Sequence, residues 1–137
     1  RAFGERFWVR EQGTLKFRPL SCPDPDLAVV EGAMDDWADR DNPTSALLIV
    51  EVGGPTIHID REEKMAMYAK ARIEDYWVID PTKRLVEVRR NPKRATGTRL
   101  GWRYGQFAKF DDTQSLETLA KPGVPIAVVD MLPKLMT

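Results

Sequence analysis

The 137-residue chain has one cysteine, Cys22, and one histidine, His58. A single thiol excludes an internal disulfide, so the fold has to be held by a packed core, and Cys22 is expected as a small hydrophobe in a reducing, cytoplasmic setting. A single histidine excludes a histidine-rich zinc cluster. No apolar run approaches the ~20 residues that a membrane span requires, and no secretory signal is visible at Arg1. The 21 basic and 21 acidic residues cancel, so the molecule as a whole does not attract a polyanion. Gly53-Gly54-Pro55 lacks the spacing and the lysine of a phosphate-cradling loop. There is no internal repeat and no low-complexity stretch. The length suits one domain spanning residues 1–137, and the absence of an initial methionine leads us to expect that the native start lies upstream.

The charges are unevenly spread. Residues 21–63 carry eleven acids against Arg40 and Arg61, whereas residues 83–103 carry eight bases against Glu87 alone. Such runs are often no more than solvated faces. They also suit a protein that holds a cation in one place and phosphates in another.

Apolar patterning gives the elements. Phe7–Arg10 and Thr14–Arg18 flank Gln12-Gly13 as a hairpin would. Residues 27–30 and 46–52 are apolar runs of strand length, separated by a long polar loop. Asp60, with Glu63 three positions later, reads as the cap of a helix whose apolar stripe is Met65, Tyr68, Ala69 and Ile73. Residues 76–79 form a strand stopped at Asp80-Pro81, and residues 85–90 alternate as a half-exposed strand. Asn91-Pro92 is expected to turn the chain into a basic hairpin through Trp102-Arg103-Tyr104. Strand, helix, strand from Ala46 to Ile79 predicts a parallel crossover, and the earlier strands can pair antiparallel. The expected class is α/β, with a mixed β-sheet flanked by helices.

Pairing residues 26–31 against 46–52 in the antiparallel sense, with Asp26 opposite Glu51, also sets Ala28 opposite Ile49 and Val30 opposite Leu47. A slip of one residue would send one carboxylate to the other face. Directly opposed side chains lie ~5 Å apart at Cβ, and two carboxylates that close repel unless a cation or a proton lies between them. Mg²⁺, a hard ion that retains waters and seats phosphates, suits such a pair, and the chemistry it would support is phosphodiester hydrolysis. Spacing alone carries this weakly, since acids at strand ends are commonly just hydrated.

Four ordered blocks add to it: Pro25-Asp26-Leu27-Ala28-Val29-Val30; Leu48-Ile49-Val50-Glu51-Val52; Asp60, Lys64, Tyr68 and Ala69; and Ile73–Asp80 followed by Val86-Glu87-Val88. Together they resemble the Uma-two family of restriction endonuclease-like proteins in the PD-(D/E)XK nuclease superfamily, across roughly residues 14–104 and more weakly through Leu132-Pro133. The resemblance implies a restriction endonuclease-like core and DNA cleavage with Mg²⁺ or Mn²⁺. It implies metal binding by Asp26, Glu51 and the backbone carbonyl of Val52, with catalysis by Asp26, Glu51 and Lys64. The chain departs from the superfamily motif at Gly53, where a lysine usually stands, and Lys64 is the substitute. The resemblance also leads us to expect that the chain begins after the family's N-terminal helix and strand.

Arg89, Arg90, Lys93, Arg94 and Arg103 are the expected nucleic-acid contacts. Trp102 could stack on nucleic acid or fill a dimer contact, and Trp77 reads as core. His58 is expected in a loop near the site mouth. DNA is the expected partner, and a homodimer would suit a two-strand cut. The competing reading is a non-catalytic nuclease-like module that binds nucleic acid or dimerises.

Overall fold

The computed structural model describes residues 7–11, 26–31, 46–53 and 58–133. Six strands form one sheet in sequence order: β1 (Phe7–Glu11), β2 (Leu27–Glu31), β3 (Leu48–Val52), β4 (Asp75–Asp80), β5 (Leu85–Arg94) and β6 (Trp102–Asp111). Only β3 and β4 run parallel; every other neighbouring pair is antiparallel. Parallel neighbours need a crossover, and the helix α1 (His58–Lys70) lies in that connection. A short ribbon, β7 (Ser115–Leu116) with β8 (Ile126–Ala127), and a 3₁₀ turn at Val128–Met131 complete the described chain. No helix among the described residues is long and apolar enough to cross a membrane.

The sheet separates two cores. On one face Ala28, Val30, Ile49, Tyr76 and Val78 pack with Tyr68 and Ala69 of α1 and with Ile73. On the other, Val29, Leu48, Val50, Trp77, Ile79, Val86 and Val88 pack with Leu116, Val128 and Leu132. The period-two alternation along β2 and β3 produces this division. β4 lies in the middle and is buried from Asp75 to Ile79, so it reads as a continuous apolar run instead of an alternating one.

The second face encloses a charge. Asp75 is fully buried. Its Oδ1 accepts from the Trp77 indole at 2.7 Å and from Arg90 Nε at 3.0 Å, and its Oδ2 accepts from the Leu119 amide at 2.9 Å. Arg90 also donates to the Glu117 carbonyl. The carboxylate thus ties β4 and β5 to the 117–119 segment. A buried anion is tolerable only with such saturation.

α1 ends in a Schellman motif: the Arg72 amide donates to the Ala69 carbonyl at 2.9 Å and the Ile73 amide to the Tyr68 carbonyl at 3.0 Å. The left-handed position in this motif usually falls to glycine, yet it is filled by Arg72 at φ 61°. Asn91 and Leu100 share this conformation at φ 62° and 58°. A non-glycine residue held there costs on the order of 1–3 kcal/mol.

Several expectations need correction. The helix begins at His58, so Asp60 is its third residue instead of its cap, and His58 is helical instead of looped. Asn91-Pro92 does not turn the chain: β5 continues to Arg94, still paired with β6 from Leu85↔Asp111 to Arg94↔Trp102. The positive φ at Asn91 bends the strand and needs room on its neighbour. A Cβ on Gly105 would lie 2.8 Å from Asn91 Nδ2 and 3.2 Å from the Asn91 carbonyl, so β6 carries glycine there. Past this bend Tyr104 joins the helix-side core, although Phe110, at the same strand parity, packs on the opposite face. The Tyr104 hydroxyl donates to the Ile73 carbonyl at 2.6 Å, joining the far end of β6 to the end of α1. β1 pairs with β2, while its expected partner 14–18 lies outside the described residues, as do Cys22 and Trp37.

Replacing Asp75 by alanine strands Arg90 and the Trp77 indole. A loss of about 3–5 kcal/mol is expected in urea-unfolding free energy; a loss below about 1 kcal/mol would show that this network holds nothing together.

Candidate metal centre

The pair Leu27↔Val50, Ala28↔Ile49 and Val29↔Leu48 is the antiparallel register expected from the sequence. One step further along the ladder, Asp26 falls opposite Glu51. Local bonds fix both: the Val52 amide donates to Asp26 Oδ2 at 2.8 Å, and the Asp26 amide donates to Glu51 Oε1 at 3.3 Å. Each carboxylate is therefore held by the backbone of the strand opposite.

Glu51 shares parity with Ile49, so it faces α1, and the helix answers with a cation. Lys64 Nζ lies 2.9 Å from Glu51 Oε2. Tyr68, one turn further along α1 and fully buried, lines the same region. Burial pushes its hydroxyl well above the usual range, and the negative charge of Glu51 pushes the same way. The phenol therefore packs as a neutral group.

The electrostatics of Glu51 are unbalanced. Burial raises its pKa above the ordinary carboxylate value, and Asp26 adds to the rise, while Lys64 and the Asp26 amide work against it. Two carboxylates face one ammonium here, so the pocket carries more negative charge than its own residues neutralise. Such a site is stabilised by a proton or by a further cation.

The donor set is hard oxygen throughout. Among the described residues, no group of three or more His, Cys, Asp or Glu side chains converges. A pair of carboxylates fits Mg²⁺ or Mn²⁺, which bind through one or two carboxylates and complete their shell with water and phosphate.

The five basic residues expected to bind nucleic acid are brought together only in part: Arg90, Lys93 and Arg94 line one cavity, and Arg89 and Arg103 lie outside it. Arg89 pairs with Glu87 at 3.2 Å and lies 4.7 Å from the Phe107 ring, an exposed aromatic on the edge strand β6. Arg90 faces the opposite way and is engaged by Asp75. Lys93, Arg94 and Arg103 extend along the exposed end of the hairpin. Arg72 was not anticipated: it lies 5.9 Å from the Trp102 ring, with Arg94 5.6 Å from the same ring. The available signal was an arginine just past a helix end, where glycine is usual.

The raised Glu51 pKa has a consequence for stability. The folded state binds its proton more tightly than the unfolded chain, so ionising Glu51 weakens folding as pH rises through the folded value, and the penalty is complete above it. In divalent-free buffer at pH 7–8, Glu51→Gln should match or exceed the wild type in urea midpoint, with the gap closing as pH falls through the folded value and gone below about 4. A variant that is less stable at pH 8 and recovers on acidification would reverse the assignment.

Comparison with known proteins agrees with this architecture. A search of the curated proteins gives no match. Among solved structures, the chain is similar to one titled as the crystal structure of a "putative nuclease belonging to DUF820" from Anabaena variabilis ATCC 29413. The TM-score is 0.66 at 13% identity, covering 93% of this chain and 68% of that one, a likeness of fold. Residues 3–128 match the sequence family Uma2, described as "Putative restriction endonuclease". A match over that much of the chain, on a sheet of this topology, identifies the protein as a member of the Uma2 family.

Proposed function

We propose that the protein is a single nuclease-like domain that hydrolyses phosphodiester bonds in DNA with Mg²⁺ or Mn²⁺. The observation that carries this is the triad of contacts at one end of the sheet: Asp26 and Glu51 locked side by side, with Lys64 at 2.9 Å from Glu51. Family membership supplies the nuclease class. In this reading Asp26, Glu51 and the backbone carbonyl of Val52 hold the ion. When bound, the ion supplies Lewis-acid polarisation of the phosphoryl group and makes an attacking water more acidic.

The chain's own residues do the rest. Glu51 keeps the Lys64 ammonium over the site. Lys64, about one-third exposed, can orient the water and stabilise charge developing on the phosphate. Arg89, Lys93, Arg94 and Arg103 hold the phosphate backbone along the hairpin, with Arg90 contributing through its place in the fold. A two-strand cut would use two copies. The long, largely exposed edge strand β6 offers a surface for pairing them, in keeping with a homodimer in the cytoplasm.

Asp26→Ala and Glu51→Ala should each remove Mg²⁺- or Mn²⁺-dependent cleavage of plasmid DNA while leaving the circular dichroism spectrum and cooperative unfolding intact. Lys64→Met should slow cleavage by roughly 10²–10³-fold. Isothermal titration with Mn²⁺ should show a site in the wild type that Glu51→Ala lacks. Cleavage surviving both carboxylate substitutions would refute the assignment. Metal-independent DNA binding that survives Glu51→Ala, with no cleavage by the wild type, would favour the non-catalytic module instead.

A further inference from the structure

A cavity of about 580 Å³ lies away from the carboxylates. It opens at the other end of the sheet, where α1 ends and the β5–β6 hairpin begins to project. Glu51 is level with Val78, and Val78 with Glu87, across the sheet. Arg94 lies seven residues beyond Glu87 along β5, about 20 Å at ~3.3 Å per residue. The cavity is therefore separate from the candidate metal centre.

Its lining is cationic. Arg72, Arg90, Lys93 and Arg94 contribute to the wall, with Glu74 the one acid among the lining residues. Arg90 is already engaged by Asp75 and the Glu117 carbonyl, which fixes it as a wall. Arg72 and Arg94 instead both lie against the Trp102 ring, at 5.9 and 5.6 Å. Trp102 is half-buried against the helix-side core, so the indole anchors both guanidinium groups at the cavity wall. Several cations along one wall repel one another, and a bound anion relieves this. A guanidinium fork matches phosphate oxygens in geometry as well as charge.

Three of the four non-glycine residues held at positive φ among the described residues line this cavity or adjoin its indole; the fourth, Arg84, lies in the β4–β5 connection. Arg72 occupies the left-handed position where a helix end ordinarily carries glycine, Asn91 lines the cavity at positive φ, and Leu100 precedes the indole at positive φ. A glycine at position 72 would close the helix with less strain, but it would bring no guanidinium to Trp102. The side chain at 72 is what the strained backbone retains.

From these observations we infer that the Arg72–Trp102–Arg94 cavity is a phosphate-binding site distinct from the carboxylate centre, and that it anchors the phosphate of a nucleic-acid chain about 20 Å from the reacting bond. The inference uses the proposed nuclease role only to identify the carrier of the phosphate; the site itself needs no metal.

The test is equilibrium binding in EDTA, where cleavage cannot occur, using a fluorescein-labelled 20-base-pair DNA duplex, with titration calorimetry of inorganic phosphate and adenosine monophosphate as a second arm. Arg72→Gly should weaken duplex binding at least fivefold and lower the slope of log K against log salt by about one, with an equal or higher melting temperature. Arg94→Gln should weaken binding similarly without the gain in stability. If only the free phosphate or monophosphate loses affinity in Arg72→Gly, the site stands and its carrier is a free nucleotide. If neither variant changes any probe while both remain folded, the site is refuted. Because Asp26 and Glu51 play no part in this assay, a failed cleavage experiment leaves its outcome unaffected.

Discussion

The antiparallel register between β2 and β3 is the constraint on which the site depends. It sets Asp26 against Glu51, and the same register sets Ala28 against Ile49 on the same face. The apolar pairs want the core, so burying them carries the two acids to the helix side along with them. Hydrophobic burial at ~25 cal/mol per Å² over several side chains outweighs the repulsion between two carboxylates at the margin of the sheet. The fold thus imposes a like-charge contact that no local preference would choose. Lys64 offsets part of it, and a divalent ion would offset the remainder.

Two buried carboxylates in this molecule are held in different ways. Asp75 is saturated: an indole, an amide and a guanidinium satisfy both oxygens, and nothing near it is left to attract a ligand. Glu51 has an ammonium and one long amide contact at 3.3 Å, with a second carboxylate beside it. Burial lifts its pKa in spite of the lysine. The first arrangement holds β4, β5 and the 117–119 segment together; the second leaves a charge for something else to neutralise.

Much of this was legible in the sequence because period-two patterning is a strong signal when one face is buried. The β2–β3 register, the parallel β3–β4 pair, the helical stripe at Tyr68 and Ala69, and Trp77 as core all follow from where the apolar residues fall. The readings that needed correction depend on local competition. Asp60 and Glu63 imitate a capping box, but the helix starts a little earlier, at His58. Asn91-Pro92 resembles a turn, yet pairing with β6 continues through it because Gly105 makes room. The partners of Asp75 and Arg72 were illegible for another reason: they are distant in the chain, and only the folded sheet brings Leu119 to one and Trp102 to the other. Lys64 lies between these cases. Its proximity to Glu51 follows from the parallel crossover, which the pattern does show, but its reach across the site does not.

The most direct test of the central claim is anomalous scattering from a crystal of the wild-type protein grown with Mn²⁺. The account predicts one strong anomalous peak within bonding distance of both the Asp26 and Glu51 carboxylates. A map with the two side chains ordered as described and no peak between them, at saturating manganese, would contradict it.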